Sequence, residues 1–170
     1  MKKFILAFLV VFVANLGCKK LDQGDRLCGC SPAAEPPLIL VIKNANGADL
    51  LNPATTGHFT ADNIKVYHEA DGKEKQMTFR VGKPFTYGNA STDKFEYYQL
   101  QSSLVSLHAT TAQPSFYVKL GNGTPFLLKP TMDQDAKYKV VKLLVNDVEA
   151  TPETGSAKNI LPNVFYITLP

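Results

Sequence analysis

The 170-residue chain carries 18 Lys and Arg against 15 Asp and Glu, a formal net charge of +3, with three Cys and no Trp. That near-balance excludes the clustered basic face that a nucleic-acid binder needs. Acidic tails and basic arms are absent as well. The length suits one domain with a sizeable core.

At the N-terminus Lys2 and Lys3 precede an apolar run from Phe4 to Val13, followed by Ala14-Asn15-Leu16-Gly17. A positive start, about ten apolar residues and a small-residue exit are the parts of an export signal peptide. The run has no polar residue at a helical period, which argues against a buried amphipathic helix. A bilayer span would need roughly 20 apolar residues. Residues 1–17 are therefore expected to be a signal peptide. Its removal takes Lys2 and Lys3 with it and leaves 16 basic against 15 acidic residues, a net of +1.

Leu16-Gly17-Cys18 resembles the lipobox of bacterial lipoproteins, in which a small residue precedes an obligatory cysteine. The resemblance covers the first 18 residues and departs from the motif at Asn15, where the family usually has an aliphatic residue. It implies lipidation at Cys18: a diacylglycerol thioether, cleavage before the cysteine, and acylation of the new amine by a palmitate-type chain. Two or three chains, at ~0.8 kcal/mol per buried methylene, anchor far more firmly than one. The membrane is then a partner through the N-terminal lipid, and the expected location is the cell envelope, on the outer membrane, periplasm-facing or surface-exposed. Ordinary signal-peptidase cleavage nearby, with Cys18 a free thiol, is the alternative.

Residues 18–37 read as a tether ending in Ser31-Pro32-Ala33-Ala34-Glu35-Pro36-Pro37. Proline fixes φ and favours an extended chain, so this is a semi-rigid spacer. From Lys19 to Pro37 it reaches roughly 60 Å at ~3.3 Å per residue. Within it, Cys28 and Cys30 are a candidate disulfide, although a ring between residues two apart is strained and easily reduced. Two thiolates alone make a weak soft-metal site. A structural or incidental pair is the plainer reading.

From residue 38 to 170 the pattern is β. Leu38–Lys43 is a continuous apolar run rich in branched residues, a first strand. Ile64–Glu69 alternates, with Ile64, Val66 and His68 on one face, and Asp71-Gly72 turns the chain into a strand over Gln76–Val81. Phe95–Leu107 reads as one bent strand or two. Ser115–Leu120 points Phe116, Val118 and Leu120 inward, and Asn122-Gly123 leads into Phe126–Lys129. Tyr138–Val148 is the longest strand expected; its Val content favours strand over helix. Val164–Leu169 is the last. About seven or eight strands with regular turns predict an all-β, antiparallel sandwich, with a barrel or a sheet carrying one short helix as the alternative.

Asp49-Leu50-Leu51-Asn52-Pro53, followed by Ile64-Lys65-Val66-Tyr67, resembles a pattern of small uncharacterised lipoproteins of the Bacteroidetes group. The resemblance covers residues 18–70. It implies an immunoglobulin-like sandwich on the outer membrane and brings no activity or functional residues.

Side chains that could carry chemistry are scattered. His58, His68 and His108 have no ligand spacing, so no metal and no cofactor is expected. Asp133-Gln134-Asp135 lacks the density and the glycine of a calcium loop and reads as a turn. No Gly-x-Ser-x-Gly or phosphate-cradling glycine loop occurs. Aromatic residues form four groups: Phe85 and Tyr87, Tyr97 and Tyr98, Phe116 and Tyr117, Phe165 and Tyr166. Neighbours on a strand face opposite ways, so one ring of each adjacent pair points outward. Tyr87, Tyr98 (or Tyr97), Tyr117 and Tyr166 are the candidate ligand-facing aromatics, set against plain cross-strand pairing. The absence of Trp, the largest stacking face, weighs against a dedicated glycan platform. The expectation is a non-enzymatic binding or structural module with a protein or glycan partner. The alternative is a small periplasm-facing enzyme or metal-binding accessory using His and carboxylates or Cys28 and Cys30.

Overall fold

A computed structural model describes residues 35–88, 93–110, 115–136 and 138–169. The expected signal peptide, the tether up to residue 34, and with them Cys18, Cys28 and Cys30, lie outside the described residues.

The domain is an all-β sandwich. Its strands are β1 (Leu38–Lys43), β2 (Ile64–Ala70), β3 (Lys73–Gln76), β4 (Phe79–Gly82), β5 (Phe85–Thr86), β6 (Lys94–Phe95) and β7 (Gln99–Ser102). After the helix α1 (Leu104–Thr110) come β8 (Ser115–Leu120), β9 (Phe126–Met132), β10 (Val140–Val145), β11 (Val148–Glu149), β12 (Thr151–Pro152) and β13 (Val164–Thr168). A five-stranded sheet runs β12-β13-β1-β7-β4, a six-stranded sheet runs β11-β10-β9-β8-β2-β3, and β5 and β6 form a small ribbon. Every pairing is antiparallel except that of β1 with β13, which is parallel.

The main core lies between the two large sheets. Leu38, Leu40 and Ile42 of β1, Leu100 and Phe165 meet Val66, Phe116, Val118, Leu128 and Leu143 of the six-stranded sheet. Ile39 and Val41 point the other way, into a second cluster with Phe95, Ala157 and Val164. The run at β1 is continuous because the strand is buried on both faces, as strands with covered faces are. Strand β8 has only one covered face and alternates as expected, with Phe116, Val118 and Leu120 inward.

Several boundaries differ from the sequence expectation, each for a local reason. Residues 76–81 are not one strand: β3 pairs with β2, and after Met77-Thr78 the chain enters the other sheet as β4. The stretch 95–107 divides into β6, β7 and the start of α1, whose Leu104 and Val105 fill the core. The strand expected over 138–148 breaks at Asn146-Asp147, both at positive φ (50° and 66°), and returns as β11. Positive φ at two successive residues is the short-hairpin geometry. Asp71-Gly72 turns β2 into β3 in the same way, at φ 55° and 67°. Between β8 and β9 the positive φ falls on Gly121 (56°), not on Asn122-Gly123, so the connection is a longer loop. The short strands β5, β6, β11 and β12, with the division of 76–81 between β3 and β4, account for the excess over eight.

The Asp-Leu-Leu-Asn-Pro segment has a structural role. Leu50 and Leu51 are buried. The Asp49 carboxylate accepts from Leu51 N at 2.9 Å and from Tyr98 N at 2.7 Å, tying this loop to the approach of β7.

Candidate functional site

Sheet strands alternate their side chains between faces, so the face of the five-stranded sheet opposite the main core collects one residue from every two. Ile39 and Val41 of β1, Val164 of β13 and Phe95 of β6 build an apolar floor there. Aromatic rings line up over it. Tyr87 meets Phe85 (centroids 6.2 Å apart, 63°), Phe85 meets Phe95 (6.0 Å), Phe95 meets Tyr97 (5.9 Å, 74°) and Tyr97 meets Tyr166 (5.7 Å, 84°). Edge-to-face contacts at these distances contribute about 0.5–1.5 kcal/mol each beyond burial. The Lys43 ammonium closes one end, 3.9 Å from the Tyr97 centroid and 4.7 Å from that of Tyr166.

Polar groups are interleaved with the rings. Tyr87 Oη and Ser156 Oγ share a hydrogen bond of 2.5 Å, and the Tyr166 hydroxyl donates to Glu153. Glu153 also accepts from Gly155 N, which holds the loop after β12 in place. Lys94 and Glu96 form an exposed ion pair at 2.7 Å. Burial, and next the hydrogen bond to the Glu153 carboxylate, push the Tyr166 hydroxyl well above its ordinary value. Together these side chains border an open groove of about 410 Å³. Beside it, Gln99 is fully buried and donates to Lys83 O and Tyr97 O, while Gln101 donates to Gln99 and accepts from Arg80. Gly82 leaves room for these amides: a Cβ there would stand 2.6 Å from Gln99 Oε1, and the amide would have to shift.

Two of the four tyrosines singled out in the sequence, Tyr87 and Tyr166, line this groove. Tyr98 does not: it packs against the main core, and its neighbour Tyr97 takes the outward place. Tyr117 lies on the outer face of the six-stranded sheet, stacked on Tyr67 at 5.0 Å and 15° and donating to Glu69 at 3.3 Å. That is cross-strand pairing, since Tyr67 and Tyr117 are register partners. Lys43, Phe95, Glu153 and Ser156 join the site without a motif in the sequence that marks them. The one local signal was the i, i+2 spacing of Phe85 with Tyr87 and of Phe95 with Tyr97, which puts each pair on one face.

The histidines do not form a comparable site. His58 hydrogen-bonds its own loop at Thr55 O (3.1 Å). His68 and His108 flank the buried ring of Phe116, at centroid distances of 6.4 and 6.0 Å, and His68 Nδ1 is buried without a hydrogen-bond partner. No carboxylate or thiol joins them: among the described residues no group of three or more His, Cys, Asp and Glu could hold a metal ion. Asp133 accepts from Asp135 N and pairs with Lys139, a closed turn. No family model matches the chain, and neither a curated protein nor a solved structure matches it.

Proposed function

We propose that this protein is a non-enzymatic, lipid-anchored module of the cell envelope that binds its ligand in the aromatic groove on the outer face of the five-stranded sheet. The observation that carries the reading is the ring ladder itself. Five aromatic side chains from separate parts of the chain converge on one open face, where four of them, Phe85, Tyr87, Tyr97 and Tyr166, remain only partly buried, and the three tyrosines line the groove. Concave, mostly apolar surfaces with a few fixed polar groups are where ligands bind. The lipidated Cys18 and the proline-containing tether supply the address and the reach.

Tyrosine footprinting tests the binding part of this reading. Tyr87, Tyr97 and Tyr166 are expected to be oxidised more slowly in intact cells than in the purified full-length protein. Tyr117, on the opposite sheet, is the internal control and is expected to react equally in both. Equal labelling of the groove tyrosines in cells and in purified protein would contradict a ligand-occupied groove.

A further inference from the structure

We propose that the groove binds a neutral polysaccharide chain. This rests on the reading of the groove as the ligand face, and it adds the ligand's chemistry. A sugar ring has an apolar face of C–H groups and a rim of hydroxyls. A site for it therefore needs ring surfaces and, at the same level, groups that both donate and accept hydrogen bonds. The groove has both, with the partly buried rings of Tyr87, Tyr97 and Tyr166 beside the Lys94 ammonium, which donates, the carboxylates of Glu96 and Glu153, which accept, and the hydroxyl of Ser156, which does either. These polar groups are already held by one another, Tyr87 by Ser156, Tyr166 by Glu153 and Glu96 by Lys94, so little ordering remains to be done on binding.

Charge selects among ligand classes. Lys94 is paired with Glu96, Glu153 is held by the Tyr166 hydroxyl, and the Lys43 ammonium stands over Tyr97 and Tyr166 at the end of the ring row, so the groove offers no excess of positive charge. A phosphate-bearing ligand gains nothing there, because its binding is driven by unopposed Lys and Arg. A quaternary ammonium is also disfavoured, since Lys43 already occupies the cation position over Tyr97 and Tyr166. An extended peptide adding a strand needs a sheet edge, and the groove lies on a face. With tyrosines rather than tryptophans as the stacking surfaces, each contact is modest. The ligand is therefore a chain that touches several rings at once, and short sugars bind weakly.

The test measures binding of the full mature protein, in lipid nanodiscs, to neutral α-glucan, β-glucan, mannan and galactan, with polygalacturonate and heparin as charged comparisons. At least one neutral polymer is expected to bind, and its mono- or disaccharide to bind far more weakly. Tyr87→Ala and Tyr97→Ala should each weaken that binding about three- to tenfold, the loss of one ring contact. Tyr117→Ala should leave it unchanged. Circular dichroism confirms the fold of each variant. If Tyr97→Ala does not fold, Glu96→Gln on the exposed rim takes its place, with a loss again expected. Binding to none of the neutral polymers, equal or stronger binding to a charged one, or binding indifferent to the groove variants would each overturn the proposal. If no polymer binds while the groove tyrosines stay protected in cells, the glycan assignment falls alone. If that protection is lost too, the groove is not the ligand face.

Discussion

Asn163 has no exposed surface, yet every polar group of its side chain is engaged. Its Nδ2 donates to Tyr138 O and its Oδ1 accepts from Val140 N, both at 2.8 Å, while its backbone carbonyl accepts from Ile39 N at 2.9 Å. One residue thus joins β1 of one sheet to the start of β10 in the other. Asn163→Ala takes the partner from the buried Val140 N–H, at about 1–3 kcal/mol, and also removes the bond to Tyr138 O. A urea titration should show the variant less stable by about 2 kcal/mol or more, with an unchanged slope. Tyr166 gives a second residue-level prediction, in pH. Its folded pKa lies above the ordinary 10.0, through burial first and the Glu153 carboxylate next. The stabilisation is therefore complete below that ordinary value and is lost as pH rises above it, because the unfolded chain gives up the proton first. Thermal melts at increasing alkaline pH should fall more steeply for the wild type than for Tyr166→Phe. Tyr67, raised chiefly by burial, acts in the same direction, so the variant keeps part of the slope.

The strand β1 explains much of how the elements hold together. It has a parallel neighbour on one side and an antiparallel one on the other, and it is buried against a cluster on each face. If the second cluster only decorated the surface, truncating Ile39 would be mild. Instead Ile39→Ala should cost about 2–5 kcal/mol, as large-to-small changes in a packed core do. Val148→Ala, at a residue 70% exposed, should stay within about 0.5 kcal/mol. Chemical denaturation of both variants measures the contrast. Equal, small effects would mean that the aromatic face is loosely packed and not a preformed groove. This is also where the sequence was most and least legible. The apolar run of β1, the Asp71-Gly72 hairpin and the inward alternation of β8 are set by neighbouring residues, and all three could be read. The division of residues 95–107 into strand and helix could not, because Leu104 and Val105 are helical only in the context of the core they fill. Nor could the parallel pairing of β1 with β13, which joins residues some 125 positions apart, for instance Ile39 with Val164.

At the scale of the whole molecule, the groove assembles from β1, the β5–β6 ribbon, the segment after it, the loop following β12 and β13. No short stretch of sequence contains it, which is why Tyr87 and Tyr166 could be singled out but not their meeting. Between Tyr97 and Tyr98, neighbouring residues could not decide which faces outward: Asp49, 49 residues away, holds the Tyr98 backbone, and the Tyr98 ring packs against the main core. The anchor is the opposite case: Cys18 and the residues before it are read entirely from local pattern. The proposed function joins the two, a lipid on Cys18 and a binding face on the sandwich, and the proposed anchor is the more directly open to measurement. Mass spectrometry of the mature protein extracted from membranes should find an N-terminal peptide beginning at Cys18, with diacylglycerol on the thiol and an acyl chain on the amine. An unmodified N-terminal peptide, or one beginning at another residue, would contradict it.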